Sequence, residues 1–75
     1  MTETERLLLA LAGRRYRYGA ALADDVHRQT GLSLGRFWQA VYALIDRPDV
    51  EAAEPALVHR LRRLRDRRQA ARRAA

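Results

Sequence analysis

Apolar residues recur every three to four positions along this 75-residue chain, and no convincing pair of strands is present, so the pattern predicts helices. Leu7, Leu8 and Leu11 share one face of a first helix over about Glu3 to Ala12. Thr2-Glu3-Thr4-Glu5 before it has the spacing of a capping box, and Gly13 is a natural stop. Tyr18, Leu22 and Val26 recur every four residues and predict a second helix from about Gly19 to Gln29. Asp24 and Asp25 lie on its polar side, and Gly31 follows as a terminating residue. Ser33 suits the N-cap of a third helix carrying Leu34, Phe37, Trp38, Val41, Leu44 and Ile45 at the spacing of a buried face. Pro48 stops that helix. Asp49 to Glu54 reads as a turn or one short extended segment. Pro55 fits the first turn of a fourth helix, which runs from about Ala56 into the terminal Ala/Arg stretch and frays after Ala70. The expected core is Leu7, Leu8, Leu11, Leu22, Val26, Phe37, Val41, Leu44 and Ile45.

The expected fold class is therefore all-α: a three-helix helix-turn-helix (winged-helix-like) domain over residues 1–55, followed by a long basic helix over 56–75. A second helix, a tight Gly31-Leu32-Ser33 turn and a third helix form the helix-turn-helix pattern. Its core would hold the outer face of the third helix outward, where it can enter a major groove. Taking away the apolar stripe leaves Gly35, Arg36, Gln39, Ala43 and Asp46 on that face, with Tyr42 at its edge. Arg36 and Gln39 stand one turn apart. Arginine can pair bidentately with guanine and glutamine with adenine, although both residues are equally at home as ordinary solvated side chains.

Charge sharpens the division. Residues 1–55 hold seven Arg and eight acids, giving −1. Residues 56–75 hold eight Arg and one acid, giving +7. A basic tail on a near-neutral domain suggests a polyanion or an acidic protein surface as partner, the bland alternative being a solvated helix face. All fifteen basic residues are Arg, part of which reflects codon usage. With no Cys, disulfides and Cys-based zinc sites are excluded. No apolar run approaches a membrane span, and the polar, acidic N-terminus is unlike a signal peptide, so no membrane association and a cytoplasmic location are expected.

A resemblance adds to this reading. Leu7-Leu8-Leu9-Ala10-Leu11-Ala12, Tyr18-Gly19-Ala20-Ala21-Leu22-Ala23, Ser33 to Val41 without a gap, and Leu44-Ile45-Asp46 leading to Val50 follow one known pattern in order. Together they resemble the N-terminal winged helix-turn-helix of PadR-type transcriptional regulators over Leu7 to Val50. That resemblance implies DNA-facing positions at Ser33, Gly35, Arg36, Trp38 and Gln39. It implies phosphate contacts near Tyr16 and Tyr18, with Arg14, Arg15 and Arg17 placed as a backbone clamp. Core packing is the favoured alternative for Tyr18, and slightly so for Trp38, which lies toward the Leu34/Val41/Ile45 side. The family follows its third helix with a basic two-stranded wing. Here Asp49 to Glu54 is too short and too acidic for one, so the chain reads as a reduced relative.

Catalytic chemistry has no foothold. His27 and His59 lie on different helices without metal-ligand spacing, and Asp24 and Asp25 are adjacent, so their carboxylates diverge. No glycine-rich phosphate loop exists, and a capping role accounts for Ser33, the only serine. No enzyme activity, metal or cofactor is expected. The leading expectation is a DNA-binding transcriptional regulator or accessory factor. The alternative is a protein-interaction module whose basic helix docks on an acidic partner or self-associates. Leu57, Leu61 and Leu64 follow heptad spacing, continued by Arg68, Ala71 and Ala75, and predict either a homodimer seam or packing on the chain's own domain.

Overall fold

The computed structural model describes residues 1–14 and 19–74. They form α1 (Glu3–Gly13), α2 (Gly19–Thr30), α3 (Leu34–Ile45), α4 (Pro48–Ala53) and α5 (Pro55–Ala74), with no strand among the described residues. The fold is all-α, as the apolar spacing predicts. No helix among these residues is long and apolar enough to cross a membrane. The chain divides into two compact units, Met1–Val41 and Tyr42–Ala75, and the division falls within α3.

In the first unit, the Thr2 hydroxyl accepts from the Glu5 amide at 3.1 Å while the Thr2 amide donates to Glu5 Oε1 at 2.8 Å. This is the expected capping box, and it satisfies two backbone donors at the start of α1. Gly13 is the last helical residue, and Arg14 leaves in extended geometry. α1 packs on α2. Leu8, Leu9 and Leu11 are buried, whereas Leu7 is only half-buried. Leu9 is thus a core residue that the spacing does not single out. Three consecutive leucines cover about 200° of helix surface, so either flank could have turned inward. Val26 is buried and Leu22 half-buried.

The turn after α2 is held by its own side chains. The Thr30 hydroxyl donates to the Val26 carbonyl at 2.6 Å and accepts from the Leu32 amide at 3.1 Å. Gly31 takes φ +74°, a left-handed conformation that glycine adopts without steric cost, and its amide donates to the His27 carbonyl at 2.9 Å. Two residues later Ser33 caps α3, its hydroxyl accepting from the Arg36 amide at 3.3 Å. Phe37 and Val41 are fully buried.

In the second unit the buried residues are Leu44, Ile45, Val50, Val58 and Leu61. The segment expected to be a turn or an extended stretch is instead the helix α4, packed on α5. Pro48 does stop α3, but it also stands at the start of α4, where a helix needs no amide from its first residue and φ is already set. Asp49 and Glu51 fall in the first turn, where negative charge is favoured by the helix dipole. Val50, the segment's one large apolar residue, is completely buried. Pro55 opens α5 in the same manner, and α5 runs into the terminal Ala/Arg stretch as far as Ala74.

Candidate nucleic-acid interface

The outer face of α3 is as the apolar pattern predicts. Gly35, Arg36, Gln39, Ala43 and Asp46 are exposed, Tyr42 is half-buried, and the opposite side holds the buried Phe37, Val41, Leu44 and Ile45. The capped first turn, with exposed Ser33 and Gly35, puts no bulk beside Arg36. Neither the Arg36 nor the Gln39 side chain has a hydrogen bond or ion pair among the described residues. The two reach solvent one turn apart with all their donors available.

Other expected contacts fare differently. Trp38 is half-buried and meets Phe37 edge-on, with ring centroids 5.1 Å apart and planes at 71°. That is a favourable aromatic geometry, and it makes Trp38 a partner of the core as much as a surface group. The Arg14 guanidinium lies 3.8 Å from the Asp25 carboxylate, which also pairs with Arg28. Asp25 is 18% exposed and faces two cations, so Arg14 reaches any phosphate only in competition with a local carboxylate. Arg15, Tyr16, Arg17 and Tyr18, the rest of the expected clamp, lie outside the described residues.

Seven of the eight arginines of α5 fall into two sets, and the eighth, Arg60, is exposed and also engaged. Arg62, Arg65 and Arg68, at i, i+3 and i+6, are engaged within the second unit. Arg62 donates to the Ile45 carbonyl at 2.8 Å and pairs with Glu51. Arg65 donates to Asp46 at 2.9 Å, a bond that raises its already high pKa, and lies 3.7 Å from Asp66. Arg68 donates to the Tyr42 hydroxyl at 3.0 Å. The Ile45 carbonyl ends α3, where the dipole attracts a cation, so Arg62 caps that terminus as it pairs with α4. The heptad spacing, which takes in Arg68 after Leu64, does not predict this engagement. The available signal was their threefold spacing on the side of α5 that also carries Val58 and Leu61. Arg63, Arg67, Arg72 and Arg73 are exposed, and their side chains have no hydrogen bond or ion pair among the described residues.

The heptad residues are partly occupied already. Leu61 is 2% exposed within the single chain, and Leu57 and Leu64 are half-buried. No group of three or more His, Cys, Asp or Glu able to hold a metal ion exists among the described residues. His59 Nε2 lies 3.5 Å from Glu51 Oε1, a contact on the rim of the Arg62 pair.

No curated protein and no solved structure matches the chain. The family described as Protein of unknown function (DUF3263) matches residues 1–73, which takes in nearly the whole of α1 to α5, and the chain belongs to that family.

Proposed function

We propose that the protein is a small DNA-binding regulator or accessory factor that reads duplex DNA with the outer face of α3. The observation that carries this reading is the pairing of Arg36 and Gln39, exposed and unengaged one turn apart, behind a helix start fixed by Ser33 and the left-handed Gly31. A recognition helix needs such a small, polar, rigidly presented first turn, with side chains able to meet base edges. The resemblance of Leu7 to Val50 to PadR-type regulators supports the same assignment, with Ser33, Gly35, Arg36 and Gln39 as the DNA-facing positions. Trp38 contributes by packing on Phe37 and stiffening the helix. α4, the segment that follows α3 along the chain, has an acidic first turn rather than a basic one, so the reading rests on α3.

The test is selection of bound duplexes from a randomised pool, followed by competition binding of the enriched and the starting sequences. Wild type should enrich a motif. Arg36→Ala should lose discrimination at one or two base pairs, at a cost of about 1–3 kcal/mol. An Arg36→Ala/Gln39→Ala double variant with the same sequence preference as wild type would overturn the reading. Retention of the chain by an acidic polypeptide in preference to any duplex would favour a protein-interaction module instead.

A further inference from the structure

We infer that α5 carries a separate, sequence-independent surface for the phosphate backbone of duplex DNA, formed by Arg63, Arg67, Arg72 and Arg73. The surface stands on α5 alone and does not depend on what α3 reads. The argument begins with which charges are already neutralised. Asp46, Glu51 and Asp66 each already face Arg65 or Arg62. None of the four exposed arginines has an ion pair with a carboxylate among the described residues. Arg63 and Arg67 stand one turn apart, as do Arg68 and Arg72, and like charges at that spacing oppose helix formation. A polyanion lying along the helix would relieve that repulsion.

Access and spacing suit the same ligand. Arg63 is exposed, and from Asp66 to Ala74 every residue is exposed, so the last two turns of α5 are open on all sides. Ten residues separate Arg63 from Arg73, a rise of about 15 Å along the helix. At about 100° per residue Arg63 and Arg67 share one side of α5, while Arg72 falls on the opposite side and Arg73 between. A helix lying in a groove would therefore set the two pairs against phosphates of the two flanking strands rather than along one. Guanidinium groups meet phosphate oxygens in a bidentate fork.

The composition of this surface argues against other partners. Between and around the four arginines the exposed residues are Asp66, Gln69, Ala70, Ala71 and Ala74, none of them large and apolar. Protein interfaces rely on buried aromatic or aliphatic anchors, and surface-lying membrane helices on an apolar face. Apart from Asp66, Gln69 and the half-buried Leu64, this stretch carries positive charge and small side chains, which suits a phosphate backbone.

The experiment is a salt series of anisotropy titrations with a fluorescein-labelled duplex of random sequence. The proteins are the full chain and three double variants: Arg63→Gln/Arg67→Gln, Arg72→Gln/Arg73→Gln, and Arg6→Gln/Arg28→Gln. The third makes the same charge change on α1 and α2. Each α5 pair should flatten the slope of log affinity against log salt by about 2, at 0.9 per phosphate released. The Arg6/Arg28 pair should leave that slope within about 0.5 of wild type. Circular dichroism should show both α5 variants at least as helical as wild type, since these side chains hold nothing in place and their removal relieves like-charge repulsion. Unchanged slopes for the α5 pairs would overturn the inference, as would equal loss from the Arg6/Arg28 pair. Binding to poly-glutamate as tight as to DNA at matched salt would overturn it in favour of an acidic protein partner. Sequence preference measured on the α3 variants is a separate readout, so failure of base recognition would leave this result interpretable.

Discussion

Removing the Arg62 side chain should loosen the second unit far more than removing its neighbour Arg63. Arg62 makes two bonds with one guanidinium. It donates to the carbonyl of Ile45, which ends α3 without a helical partner, and it pairs with Glu51 of α4. Its side chain is 31% exposed and that of Glu51 37%, so neither bond is made in a dry interior. The ion pair alone should contribute at most about 1 kcal/mol at such exposure. A charged donor on a helix-terminal carbonyl can contribute about 1.5–3 kcal/mol, reduced here because water can reach the carbonyl once the arginine is gone. Arg62→Ala should therefore cost about 1–2 kcal/mol, a fall in Tm of roughly 4–16 °C for a domain of this size. Thermal melts by circular dichroism read this directly. Arg62→Lys should recover only part, because one ammonium cannot span both partners in the fork geometry of a guanidinium. Glu51→Gln, alone and combined with Arg62→Ala, separates the ion pair from the capping bond through the coupling of the two changes. If Arg62→Ala melted within about 1 °C of Arg63→Ala, the capping argument would be refuted, since the exposed Arg63 should change stability by less than about 0.5 kcal/mol.

Two further outcomes follow from the same structure. Phe37 is completely buried and is the largest such side chain, so Phe37→Ala should cost about 3–5 kcal/mol and abolish the cooperative melt of so small a protein; a retained full transition would show that the inner face of α3 is misassigned. The carboxyl of Asp49 should titrate below the ordinary aspartate range, because Arg47 donates to it through Nε at 3.0 Å and Nη2 at 2.8 Å. A depressed folded pKa adds stability that is present above the unfolded value and lost as pH falls through the folded one, here below about pH 4. Since Asp49 is fully exposed that contribution is small, and the sharper measurement is an NMR titration: Arg47→Gln should raise the midpoint, and an unchanged midpoint would remove Arg47 as the cause.

What could be read from the sequence was whatever a short window determines. Thr2 and Glu5, Gly31, Ser33, Pro48 and Pro55 are local stop and start signals, each with one stereochemical use, and each acts where it was expected. The outward set of α3 was legible too, because its apolar stripe is unambiguous at helical spacing. Two things were not legible. Asp49 to Glu54 offers too few apolar residues for a period, so a helix one and a half turns long leaves no trace except its proline and its acidic first turn. The partners of Arg62, Arg65 and Arg68 lie 17, 19 and 26 residues away, and nothing in a run of eight arginines marks which of them tertiary structure will engage.

That last point bears on how a DNA-binding role would divide among the elements. A wing normally supplies phosphate contacts beside a recognition helix, whereas the segment that follows α3 along this chain is α4, whose first turn carries Asp49 and Glu51. Of the arginines expected to clamp the backbone, Arg14 lies 3.8 Å from Asp25. α3 itself has one unengaged cation, Arg36, among its outward residues. Base contacts specify, but phosphate contacts supply most of the affinity. An α3 that read bases unaided would thus be specific and weak. On the proposed reading, the four unengaged arginines of α5 would supply the missing affinity. On this division, α3 variants should change which duplex is preferred at constant salt dependence. The Arg63/Arg67 and Arg72/Arg73 variants should change the salt dependence with preference intact. A protein in which both sets of variants altered the same quantity would be using one continuous contact surface rather than two.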